Sequence, residues 1–523
     1  MSMIGWIAAA AMTLSVAATP AGAAPVMTDA GLLQGVREGP LTVYRGAPFA
    51  AAPVGELRWR PPQPAAPWAG VRRADSFAPA CMQVGVSMAG ETPPKVSEDC
   101  LYLNVWTPRH RPGARLPVMV WFPGGGWTNG SAAMPLYWGD RLARRGVIVV
   151  TAAYRLGPLG FLAHPELTRE SPHATSGNYG LLDQIAALQW VQRNIRAFGG
   201  DPGRVTIFGQ SAGGYSVSLL MASPLAHGLF QRAIGQSGGV FEPPQIIPDQ
   251  GYELAGGERA GVAYAASVGA HSLADLRRLP AADLLKGAAF QVSHPLVEPY
   301  ALPRSPYDAF LAGQASDAPL LIGSNAEEIR TFMDVSQVTA ANFAAGLPAW
   351  FPAPLRSPSV LAAFPHATDA EAQASRIDLE DALRTDWDMW AWARLQAPRA
   401  PVYLYRFEHE PPFPPGSPQA NWGAGHNAEL WYMFGHLDQE PWPWRRADRR
   451  LADQMTRYWT NFAKTGDPNG PGLPPWPRFT LAAQTIQRLA DPVRSAPFTP
   501  TPGIAAIERL YTLARGAPFG AAP

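Results

Sequence analysis

The sharpest chemical signal in the chain lies between residues 205 and 221. Val205-Thr206-Ile207-Phe208 runs straight into Gly209-Gln210-Ser211-Ala212-Gly213-Gly214, and Tyr215 to Met221 continues with a helical, apolar composition. A strand, a tight turn and a helix around G-x-S-x-G is the setting in which a serine is held exposed on a strained elbow. Glycines flank such a serine because the backbone folds back on itself and the helix must approach the strand closely. A serine hydroxyl is a poor nucleophile until a base removes its proton, so a histidine and an acid must follow, in the order serine, acid, histidine.

Seven histidines follow Ser211: His227, His271, His294, His366, His409, His426 and His436. His426 sits in the Gly-rich stretch Asn421-Trp422-Gly423-Ala424-Gly425-His426, and His409, directly after an apolar run at 402–405, is its competitor. For the acid, Leu320-Leu321-Ile322-Gly323 reads as a strand whose following loop carries Glu327 and Glu328. A carboxylate at the C-terminal end of a sheet strand is where ligand chemistry gathers in open α/β folds. Its task would be to hold the imidazole in the right tautomer, not to take the proton.

A second glycine run, Pro123-Gly124-Gly125-Gly126-Trp127, ends the apolar strand Val118 to Phe122. Bare amides there, with that of Ala212, could bind a developing oxyanion. A phosphate loop is the rival reading, but no lysine stands in the required place and the spacing is not G-x-G-x-x-G. Trp127, beside the glycines, is a candidate for the wall of a substrate pocket.

These pieces need a scaffold to bring them together. Runs at 118–122, 147–150, 205–208, 320–322 and 402–405 read as buried strands. Between them, Leu181, Ile185, Leu188, Val191 and Ile195 mark one face of a helix, with Asp183, Gln184, Gln192 and Arg193 elsewhere around it. Leu451, Met455, Tyr458, Trp459 and Phe462 repeat the spacing before Gly466 closes a second helix. This alternation predicts a large, mostly parallel sheet covered on both faces, with long loops implied by 56 prolines and 50 glycines. Arg515 to Pro523 offers little that could pack.

Residues 1–23 combine an apolar stretch with Ala21-Gly22-Ala23, a small-x-small cleavage pattern, although no Lys or Arg precedes them. The expectation is a signal peptide followed by one domain over residues 24–523, secreted or periplasmic and without a membrane span. Basic and acidic residues nearly cancel, 42 against 41, so no field recruits nucleic acid. The partner expected is a small molecule. In an oxidising compartment Cys81 and Cys100 favour a disulfide, worth about 3 kcal/mol, over two unconnected buried thiols.

Taken together, the chain resembles a type-B carboxylesterase, the family that includes cholinesterases and several lipases, over nearly all of the mature sequence. The resemblance rests on Tyr44-Arg45-Gly46-Ala47-Pro48-Phe49-Ala50, on Ser97-Glu98-Asp99-Cys100-Leu101-Tyr102-Leu103-Asn104-Val105, and on Phe198-Gly199-Gly200-Asp201-Pro202 through Ser211-Ala212-Gly213. It implies an α/β-hydrolase fold, Ser211 as nucleophile, His426 as general base, an oxyanion hole from Gly125, Gly126 and Ala212, and a Cys81–Cys100 disulfide. The family's acid is the second of an Asp-Glu pair, which points to Glu328 with Glu327 as rival. No cofactor or metal is implied. Pro123 departs from the usual His or Tyr and has no N–H to give. Cholinesterases also carry a tryptophan between the first cysteines and a glutamate before the nucleophile. Here Met82 to Asp99 holds no aromatic residue and Gln210 fills the glutamate's position, where it would contact substrate. The implied substrates are neutral small-molecule esters and not choline esters, with lipase or amide/carbamate hydrolysis as an alternative and a non-catalytic binding protein as a remote one.

Overall fold

The apolar runs become the centre of a sheet. The computed structural model describes residues 22–85, 95–243, 252–348, 351 and 353–521. Among the described residues the main sheet has eleven strands: β1 (Val36–Glu38), β2 (Leu41–Pro48), β3 (Tyr102–Pro108), β4 (Leu116–Phe122), β5 (Ile148–Ala152), β6 (Gly200–Gln210), β7 (Arg232–Gln236), β8 (Leu320–Asn325), β9 (Val402–Phe407), β10 (Thr485–Leu489) and β11 (Arg494–Pro497). Their order is β11-β10-β9-β8-β7-β6-β4-β5-β3-β2-β1. From β5 to β10 all neighbours run parallel, while β1 to β3 and β11 pair antiparallel at the two ends.

Pleating sends alternate residues of β4 to opposite faces. Val118, Val120 and Phe122 join a core with helices α1 (Tyr179–Asn194) and α2 (Ala212–Ala222), whereas Met119 and Trp121 meet others on the far face. Five further helices matter below: α3 (Asp369–Asp381), α4 (Trp387–Gln396), α5 (Leu430–Phe434), α6 (Arg446–Thr465) and α7 (Pro502–Arg515). α4 and α7 lie with the first core, α5 and α6 with the second. Because both faces are covered, the central strands are apolar throughout and do not alternate. The chain leaves β4 for β5 on one side and then crosses to β6 on the other. That reversal opens a crevice beyond the C-terminal ends of β4 and β6.

Asp183 and Gln184, off the apolar stripe of α1, are not exposed: both are buried, Asp183 paired with Arg155 at 2.7 Å and Gln184 donating to Ser216 Oγ at 3.0 Å. The helix is enclosed on more than its apolar stripe, and specific partners replace water there. Nor is the C-terminal segment idle. The Arg515 guanidinium lies 3.7 Å from the Tyr307 ring centroid, and Phe519 packs on Tyr307 and Trp387. A cation over an aromatic face gains attraction that composition does not show.

Cys81 and Cys100 form a disulfide. Residues 86–94 of the loop it closes, and residues 1–21 of the expected leader, lie outside the described residues. Ala23 donates its N–H to the Gly35 carbonyl at 2.9 Å. No described helix is long and apolar enough to cross a membrane.

Candidate active site

Ser211 sits in the crevice, between β6 and α2, with φ 56° and ψ −128°. A non-glycine residue at positive φ is strained, and the surroundings must hold it there. Its N–H donates to the Gln236 carbonyl at 2.9 Å, and its carbonyl accepts from Tyr215 N at 2.8 Å. Glycine is needed alongside: a Cβ on Gly213 would stand 2.0 Å from the Phe122 carbonyl oxygen, and one on Gly209 2.4 Å from the Gly213 backbone. The end of β4 and the start of α2 therefore touch backbone to backbone, which brings the glycine run at 124–126 to the serine. A Cβ on Gly124 would lie 3.2 Å from Ser211 Cβ.

The imidazole arrives from a distant loop. His426 Nδ1–H donates to Glu328 Oε2 in a short hydrogen bond, with the carboxylate 1% exposed and the ring 5%. Glu328 opens a 3-10 turn just beyond β8, and its other oxygen accepts from Asn325 N at 2.7 Å. Glu327 faces away, pairing with Arg330 at 2.6 Å and accepting from Ala424 N at 2.9 Å. His409 is bound to Asp448 at 2.6 Å in a separate cluster with Arg445 and Tyr432. With Nδ1 committed to Glu328, His426 keeps its lone pair on Nε2, the nitrogen a base would use. That lone pair accepts from Gln210 Nε2 at 3.0 Å, one residue before Ser211.

Behind Glu328 lies a buried carboxylate network that no sequence motif announced. Glu429 Oε2 accepts from Asn325 Nδ2 at 2.6 Å and its Oε1 from Gln236 Nε2 at 3.0 Å. Burial, with Glu328 close by, pushes Glu429 up to about 7. Asp381, at the end of α3, accepts the N–H groups of Glu328 and Ile329 at 3.1 and 3.0 Å. Burial raises the Asp381 carboxyl well above its ordinary value, with Asp386 and Glu328 adding to the effect. The His426 loop put Glu429 within view, three residues on; Gln236 and Asp381 carry no local signature.

Gly125, Gly126 and Trp127 all have positive φ, at 114°, 59° and 56°. Their turn is closed by Gly125 O, which accepts from Thr128 N and Asn129 N at 3.1 Å each. Ala212 N–H is at the first position of α2, where no intrahelical acceptor exists. Beside this turn opens a cavity of about 850 Å³ lined by Gly126, Trp127, Tyr215, Leu219, Glu242 and Arg384 among others. Trp127 is held by its Nε1–H to Ser216 Oγ at 3.3 Å.

The carboxylesterase family profile matches residues 23–345 and 366–500. The chain belongs to that family. It is 38% identical to the fumonisin B1 esterase of Sphingopyxis macrogoltabida over 479 residues, 86% of this chain and 84% of that one. It is 36% identical to the para-nitrobenzyl esterase of Bacillus subtilis strain 168 over 481 residues, 87% and 92% of the two chains. Among solved structures, a PNB esterase superposes with a TM-score of 0.78 at 34% identity, covering 92% of this chain and 99% of that one. A thermophilic PNB esterase gives 0.79 at the same identity and coverage. The carboxylesterase fold is thus an α/β-hydrolase, and the chain is a carboxylic ester hydrolase.

Proposed function

We propose that this esterase works by two-step acyl transfer through Ser211, with His426 as general base and Glu328 as the acid that orients it. The observation that carries the reading is the buried Glu328–His426 pair, whose Nε2 meets the side chain of Gln210, the residue before Ser211. His426 takes the Ser211 proton as the hydroxyl attacks the ester carbonyl, and the amides of Gly125, Gly126 and Ala212 receive the oxyanion. The imidazolium then protonates the departing alcohol, and water repeats the sequence on the acyl-enzyme.

The substrates are neutral small-molecule esters. The apolar and aromatic lining of the cavity supports this, since Trp127, Leu219, Val240 and Phe290 offer burial to an uncharged group. Gln210, in a place where a carboxylate would attract a cation, supports the exclusion of choline esters. The leader-like residues 1–23 and the disulfide support action outside the cytosol. The deciding experiment measures turnover of 4-nitrophenyl esters by Ser211→Ala and His426→Ala, with thermal unfolding alongside. Both variants should lose nearly all turnover while melting close to wild type; full-rate hydrolysis by Ser211→Ala removes the reading.

A further inference from the structure

The Nε2 side of the His426 ring is occupied by a neutral group. Gln210 Nε2 lies 3.0 Å from His426 Nε2, and Gln210 is even more deeply buried than His426, 1% against 5% exposed. The backbone of Gln210 is fixed in place. It ends β6 paired in register with Gln236 of β7. A Cβ on Gly124 would stand only 2.6 Å from its carbonyl oxygen and 3.3 Å from its Oε1, so the glycine run packs directly on it.

The charged group that holds the ring is acidic, and further acids stand behind it. Glu328 holds Nδ1, and Glu429 follows three residues later on the same loop, near enough for the imidazole to influence its charge. Asp381 supports the Glu328 turn, Asp386 pairs with Arg406 at 2.7 Å, and the Tyr405 hydroxyl feels both Glu328 and Glu429. The Phe332 ring, 5.1 Å away, covers the ring without charge. Four buried carboxyl groups are thus set against one arginine and one imidazole. A fifth at position 210 would hold the imidazole protonated from its second nitrogen as well.

We propose that Gln210 is a positioning residue for the base: its amide fixes the ring with Nε2 unprotonated and, being uncharged, sets how far into acid the esterase keeps working. The inference rests on His426 being the general base. In the resting protein the amide N–H occupies the lone pair, and it gives way as the Ser211 hydroxyl engages Nε2 with substrate present. The free base is therefore kept oriented by a hydrogen bond worth little enough to be exchanged.

The test uses the full chain and 4-nitrophenyl acetate, with kcat and KM measured from pH 5 to 9 for wild type, Gln210→Glu and Gln210→Met. The carboxylate of Gln210→Glu stabilises the protonated ring, so the acidic limb of kcat/KM should move up by about one pH unit. Gln210→Met keeps the length without donor or charge. Its limb should also move up, by less than in Gln210→Glu, because the unprotonated ring loses the N–H that favoured it. An unmoved limb in folded Gln210→Glu overturns the proposal. Should that variant not fold, Gln210→Met decides, because a wild-type limb there would show that the amide does not hold Nε2 unprotonated. His426→Ala separates the two readings: if it retains turnover, the base itself is wrongly assigned, whereas a dead His426→Ala beside an unmoved Gln210→Glu limb defeats only the role of Gln210.

Discussion

Asp381 carries the backbone of Glu328: its two oxygens accept the N–H groups of Glu328 and Ile329 at 3.1 and 3.0 Å. A π-helical turn, Ala382–Asp386, follows directly, and Asp386 at its end accepts from Ser324 Oγ on β8 at 2.6 Å. A π turn spaces side chains five residues apart on one face, so both carboxyl groups reach the end of the same strand. The turn that presents the acid to His426 thus hangs from a helix more than fifty residues further along the chain.

Asp381→Ala should therefore damage both stability and chemistry. Two buried N–H groups lose their acceptors, which costs about 3 kcal/mol in urea unfolding, and kcat should fall because Glu328 loses its register. Asp381→Asn, with one acceptor oxygen left, should lose about half as much. Equal stability of wild type and the alanine variant would show that the turn holds itself.

Glu328→Gln and Glu327→Gln separate the two adjacent carboxylates. The first removes the negative partner of His426 Nδ1 and should lower kcat about 10⁴-fold, as loss of a triad acid does elsewhere. The second breaks an ion pair with Arg330 that is about a quarter exposed on each side, so turnover should stay within about tenfold of wild type. The reverse ranking would exchange their roles.

Glycine substitutions should sort by what a Cβ would meet. Gly213→Ala places a methyl 2.0 Å from the Phe122 carbonyl oxygen and should prevent correct folding of the elbow. At Gly126 only Thr128 Oγ1 lies within reach, at 3.9 Å, so Gly126→Ala pays only for φ 59°, about 1 kcal/mol. Soluble expression and melting temperature of the pair provide the comparison, and a well-folded Gly213→Ala would contradict the packing.

Glu429 makes stability depend on pH. Its folded value of about 7 stands above an ordinary 4.5, so the folded state binds the proton more tightly than the unfolded chain. The contribution is complete below about pH 4.5, declines as pH rises to 7 and is lost above that, at most about 3 kcal/mol in all. Glu429→Gln should flatten this slope between pH 5 and 7, read as the difference in unfolding free energy from wild type. An identical slope in the two proteins would place the titration elsewhere.

The central strands were legible because burial on both faces makes their sequences continuously apolar, as at β4, β5 and β8. β11 was not: four residues, none of them buried, have no pattern to show. The glycine and serine motifs could be read because strained backbone restricts residue choice locally. Residue types alone did not choose between Glu327 and Glu328, although the resemblance pointed to Glu328; of the two, Glu328 turns its carboxylate to His426 and Glu327 to Arg330. Asp381 and Gln236 were invisible since they act by tertiary approach from helices and strands whose own sequences have no need of them. The burial of Asp183 was invisible as well, because the Arg155 that matches its charge comes from another part of the chain.

The far end of the chain has a consequence for how the cavity is closed. Gly520 borders the same cavity as Trp127, and its N–H reaches the Tyr307 hydroxyl at 3.0 Å, while Arg515 bonds the Phe241 carbonyl. One wall of the chamber is supplied by a stretch far from Trp127 in sequence. The enclosure is complete only once residues 515–520 have docked, so a cut before Arg515 should open it.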